Sequence, residues 1–176
     1  MMKKLSLVVT FMAVCFIGPA FGQTCDLRNL PQQVQVSVRA AAPEWHVLTR
    51  EMLDSDDRQE WDSDYHGCPG VVKGSFIAGK DAYAISLVKE ESGSKFQQSM
   101  VVSLDSTGAH NYVLTPPTKV PVWSVISKEP AGRYRDIRNG KHVVTRAESP
   151  ALIRLDVGEA LFFWNGGRFE RIITSN

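Results

Sequence analysis

The sequence predicts a mainly β domain of the α+β kind: antiparallel strands in one unit, with one short helix near residues 55–65. Three observations carry this. After Gly70, short runs rich in Val, Ile, Tyr, Phe and Trp follow one another to the end of the chain. Clusters of Gly, Pro, Asn, Asp and Ser part those runs every 8–14 residues. Helix start and stop signals coincide in one place, between residues 49 and 69. No internal repeat and no linker breaks residues 23–176, so one domain is expected there.

In chain order, Gln23 to Gln33 reads as a polar, extended lead-in. Val34, Val36 and Val38 alternate with Gln35, Ser37 and Arg39, the period of a half-buried strand. Ala40-Ala41-Ala42-Pro43 ends it. Trp45, Val47 and Leu48 form an apolar patch that suits another short strand. Asp54 or Ser55 can cap a helix whose first turn carries Asp56 and Asp57, acids that favour the positive end of the helix dipole. Trp61 and Tyr65 then share one helix face, and Gly67 and Pro69 stop the helix.

Strands are expected at Val71–Phe76, Ala82–Lys89, Phe96–Leu104 and Asn111–Leu114, with turns at Glu91-Ser92-Gly93-Ser94 and Asp105-Ser106-Thr107-Gly108. Pro116-Pro117 and Pro121 mark an irregular or edge passage, because proline cannot donate to a ladder. Val122–Ser127, Tyr134–Ile137, His142–Thr145, Ala151–Leu155, Ala160–Trp164 and Phe169–Ile173 complete the series. Asn139-Gly140 and Asn165-Gly166-Gly167 are hairpin signals within it.

Residues 1–22 have the make-up of a secretory signal peptide: Lys3 and Lys4, an uncharged apolar run from Leu5 to Ile17, the break at Gly18-Pro19 and small residues at Ala20 and Gly22. The run is short for a membrane span. Its removal takes the formal charge from +1 to −1. A near-neutral domain has no general drive toward nucleic acid or an anionic membrane surface. The groups Arg133/Arg135/Arg138 and Arg168/Arg171 are interleaved with acidic or apolar residues and read as solvated strand faces. The expected location is the periplasm or the outside of the cell, with no stable membrane insertion once the leader is gone. Cys25 and Cys68 remain in the mature chain, and an exported protein with two cysteines is expected to join them.

Gly74-Ser75-Phe76-Ile77-Ala78-Gly79-Lys80-Asp81-Ala82-Tyr83-Ala84 resembles the FG-GAP/VCBS-type unit of β-propellers and related β proteins. The glycines, Phe76 and Asp81 match that unit. Ser75, Ile77 and Ala78 stand where it has carboxylates or amides. The resemblance implies a strand-loop-strand shape. The departures argue against the calcium that such units hold, since calcium takes six to eight oxygen ligands. The segment Leu161-Phe162-Phe163-Trp164-Asn165-Gly166-Gly167-Arg168-Phe169 resembles an ending common in small exported bacterial proteins, which implies no particular activity.

Catalytic patterns are not found in the sequence. There is no nucleophile elbow and no zinc-protease helix motif. The acids from Asp54 to Asp64 do not have the spacing of a calcium-binding hand. His46, His66, His110 and His142 are scattered, and Cys68 near His66 is better read as a disulfide cysteine than as a nucleophile. Neither catalytic nor metal residues are assigned, and no cofactor is expected. Trp45, Trp123 and Trp164 are the candidates for a binding groove, against their use as core filling. The function expected is binding without catalysis, to another exported protein, as an inhibitor or immunity-type protein does. The alternatives are a hydrolase of cell-wall or extracellular polymer, which needs two carboxylates across a cleft, and a structural accessory of the envelope.

Overall fold

The structure is a computed structural model that describes residues 25–77, 79–155 and 157–175. The leader assigned to residues 1–22 lies outside them.

Where valine alternation predicts a strand, the chain forms helix α1, Gln32–Ala41. Val34 and Val38, four apart, are buried, while Val36 between them is 61% exposed. The same three valines satisfy a period of two and a spacing of four. The neighbours decide: Pro31 precedes the first turn, and Gln, Ala and Arg favour helix. The extended lead-in also fails, since a short 3₁₀ turn, Leu27–Asn29, leads to the helix. The acid-rich stretch forms α2, Ser55–Asp64. Asp54 caps it by accepting from the Asp57 N–H at 3.1 Å. Trp61 and Tyr65 stack at 5.1 Å between ring centres. The described residues thus hold two α-helices where one is expected.

The strands β1 (His46–Val47), β2 (Val71–Ile77), β3 (Lys80–Glu91), β4 (Ser94–Asp105) and β5 (Gly108–Val120) make the first sheet, in order β1-β3-β4-β5 with β2 also on β3. After β6 (Val125–Glu129), the hairpin β7 (Arg133–Arg135) and β8 (His142–Val144) stands apart. The strands β9 (Ser149–Arg154), β10 (Gly158–Trp164) and β11 (Phe169–Ser175) join β6 in a second sheet, ordered β11-β10-β9-β6. Every pairing between described strands is antiparallel. The irregular or edge passage expected at Pro116-Pro117 lies inside β5, an edge strand of its sheet. The strand carries both prolines because it is a sheet edge and its register against β4 shifts between Gln97 and Ser99.

Three clusters form the core. One face of the first sheet, with Ile85, Leu87, Met100 and Val102, is covered by Val34 and Val38 of α1. Its other face meets the second sheet through Phe76, Ala82, Ala84, Val101 and Ile126. The far face of the second sheet, with Val125, Ile153, Leu161 and Ile172, is covered by Leu53, Trp61 and the β7–β8 hairpin. The layers therefore run helix, sheet, sheet, helix.

The Cys25–Cys68 disulfide ties the start of the described chain to the entrance of β2, with Cα atoms 5.1 Å apart. It spans 43 residues, for which the chain-entropy account gives about 4 kcal/mol. The β2–β3 hairpin has the strand-loop-strand shape expected for it. Gly79 turns it with φ +75°. Gly74 is required for a different reason: a Cβ there would lie 2.6 Å from the Phe76 ring. Asp81 is engaged by Lys73 at 2.9 Å.

Candidate binding cleft

The two sheets part toward one end and leave an open cleft of about 430 Å³. One wall comes from the first sheet and the segment after it: Gln97, Thr115, Pro116, Thr118, Val120 and Ser124. The other comes from the second sheet: Leu152, Arg154, Ala160, Phe162, Arg171 and Ile173. Strand alternation puts Leu152 and Arg154 on one face of β9, and Ala160 and Phe162 on the same face of β10. Register then brings Ile173 beside Ala160 and Arg171 beside Phe162.

Most of the cleft's uncharged polar groups are bound to one another. The Gln97 amide donates to Ser86 Oγ at 2.6 Å and to the Ser124 carbonyl at 2.5 Å. Its oxygen accepts from the Ser124 N–H at 2.9 Å. Gln97 is 5% exposed, so these bonds satisfy a buried amide and staple β4 to the crossover that leads into β6. Ser99 and Thr115 share a hydroxyl–hydroxyl bond of 2.6 Å. Thr118 donates to the Pro116 carbonyl at 2.9 Å.

Charge is distributed differently. The Arg154 and Arg171 side chains have no ion-pair or hydrogen-bond partner among the described residues. Glu159 also lines the cleft. Burial, and then the charge of Glu129, raise its carboxyl above the ordinary glutamate range, against a Thr174 hydrogen bond that lowers it. Burial likewise raises Glu129. Glu129 does not line the cleft.

The tryptophans do not assemble into one groove. Trp45 packs against the α1 cluster. Trp123 is 4% exposed in the α2 cluster, with Lys95 Nζ 5.2 Å from its ring centre. Trp164 makes edge contacts with Tyr112 and Phe169 at 5.2 Å each. None of the three lines the cleft. Each fills the core in whole or in part, as aromatic residues of β domains do.

The histidine and acidic positions are structural where their partners are seen. His110 joins Thr107 and Asp105 on the β4–β5 turn. Asp136, 2% exposed, accepts from Arg138, Asn139 and the Ile173 N–H, which pins the β7–β8 turn to β11. Arg138 first, and backbone donors after it, hold this carboxyl well below the usual aspartate range. Among the described residues no group of three His, Cys, Asp or Glu side chains is placed to hold a metal ion. No described helix is long and apolar enough to cross a membrane.

Reading the sequence missed the cleft. The sequence pattern places Arg171 on a solvated face, and it is exposed, but the pattern does not show that this face borders a cleft; Arg154 stands out in no pattern. The alternation Leu152-Ile153-Arg154-Leu155 does place Arg154 opposite Ile153, but one strand cannot reveal what faces it. No protein family, curated protein or solved structure matches this chain. The likeness of Gly74–Ala84 to the FG-GAP/VCBS unit therefore stands on those residues alone.

Proposed function

We propose that this is an exported binding protein without catalytic activity, and that the cleft between its sheets is where it binds. One observation supports this most directly. The buried amide and hydroxyl groups along the cleft hold each other and the backbone, while its apolar floor and two arginines face the opening. Such a wall can grip a ligand. The disulfide fits an oxidising compartment. A partner that inserts a segment into the cleft would make the chain an inhibitor or immunity-type protein.

The hydrolase reading draws on Glu159, whose raised carboxyl could serve as an acid. Glycoside hydrolysis needs a second carboxyl group across the same cleft, and among the described lining residues Glu159 is the single carboxylate.

The test is a photo-cross-linking residue placed at Thr118, on the exposed lip of the cleft, with Lys141 on the remote β7–β8 turn as its control. Illumination in the producing cells should give adducts from position 118 and not from 141. Equal adducts from both positions, or none from 118, would remove the cleft from consideration.

A further inference from the structure

We infer that the cleft takes an amphipathic organic anion: an acyl-chain-like apolar body that carries a carboxylate or phosphate head. This deepens the binding reading and rests on the cleft being the site. The volume, about 430 Å³, falls within the roughly 300–1,000 Å³ of small-ligand pockets. Leu152, Phe162, Ile173 and Val120 supply an apolar surface for the body of the ligand.

The head is specified by charge. Arg154 lies opposite Gly158 on β10, and Arg171 opposite Phe162. The two arginines thus stand on the strands either side of β10, about 13 Å apart along the strand and about 10 Å across it. Ala160 and its neighbours Leu152 and Ile173 lie between them. Both residues line the same cleft, and no described carboxylate pairs with either. Glu159 follows Gly158, the residue paired with Arg154, yet its carboxyl is governed by burial, Glu129 and Thr174 rather than by an arginine. Guanidinium groups bind carboxylate and phosphate through paired N–H donors, and more strongly beside apolar surface that excludes water. The wall opposite has its amide and most hydroxyls already bonded, so the arginines are the groups left to recognise a head.

Calorimetric titration of the full chain separates the possibilities, with dodecanoate and dodecyl phosphate as probes and dodecan-1-ol and inorganic phosphate as controls. The anionic amphiphiles should bind, with the alcohol and the bare ion at least tenfold weaker. Whichever of the two heads binds more tightly identifies the source. Arg154→Gln and Arg171→Gln should each weaken binding about tenfold, the scale of one charged hydrogen-bonded contact. Both positions are exposed, so folding should survive; raised salt, which should also weaken binding, tests the same point without mutation.

Equal binding of dodecanol, or no effect of salt and of both substitutions, overturns the anion while leaving an apolar cleft that binds. No binding of any amphiphile, with cross-links still formed from position 118, overturns the anion and keeps the binding protein. Failure of both measurements removes both readings.

Discussion

The two ends of the inter-sheet space are built from the same strands and differ in how they close. At one end Ala82 and Ala84 of β3 and Val101 of β4 meet Ile126, and Tyr112, Trp164 and Phe169 lock edge to face. At the other, the next inward positions on the same strands are Ser86, Ser99 and Gln97, paired with Thr115 and Thr118 of β5. Apolar side chains gain by excluding water and draw the sheets together. Polar ones must first find partners, and here they find each other across one sheet and its crossover. The second sheet is then left with an open, cation-bearing face. A step of two or four residues along a strand is enough to change a core into a site.

Substitutions can break or sharpen this contrast. The largest effect is expected at the closed end. Phe76 is fully buried, and Phe76→Ala should cost roughly 3–5 kcal/mol in denaturant unfolding. A loss under about 1 kcal/mol would show that the closed end is not a packed core. At the open end, Gln97→Ala strands the Ser124 N–H and leaves the Ser86 hydroxyl and the Ser124 carbonyl only their long 3.4 Å bond to each other. A loss of roughly 1–3 kcal/mol is expected, together with faster amide exchange at Ser124. Unchanged exchange there would mean that the staple does not hold the crossover.

Smaller effects should appear in the pH dependence. Glu159 has a carboxyl raised by burial and by Glu129. Between the ordinary glutamate value and the raised one the folded state binds more protons, so stability falls as pH rises through that window. Glu159→Gln should therefore raise the unfolding midpoint at pH 7 and change it less at pH 4. A lower midpoint at pH 7 would contradict the assignment.

Asp136 has the opposite sign. Its carboxyl is lowered, first by Arg138. Its contribution is present above the ordinary aspartate value and is lost as pH falls toward the folded one. Asp136→Asn should flatten the acid branch of the stability curve. An unchanged acid branch would mean that the β7–β8 turn gains nothing from this carboxylate.

Legibility in the sequence followed how local the deciding interaction is. The β3–β4 and β10–β11 hairpins could be read because their turns carry glycine and their strands keep one pattern. The cap of α2 could be read because Asp54 and Asp57 are three residues apart. Valines 34, 36 and 38 could not settle their own state, since the surface they cover, Met100 and Val102, lies some sixty residues away. Trp123 and Trp164 could not be told from groove residues, because burial depends on partners in other strands.

By itself the sequence determined the antiparallel β class, the place of most turns and the pair of cysteines that could bridge, because each depends on residue type and short-range spacing. The layering of helix, sheet, sheet and helix was decided by tertiary structure, and so was the change of the first valine segment to helix. The convergence of Arg154 and Arg171 on one cleft was decided there too. Strand alternation tells which side chains share a face, but only the packing of one sheet on another decides whether that face is closed by apolar contact or left open to a ligand.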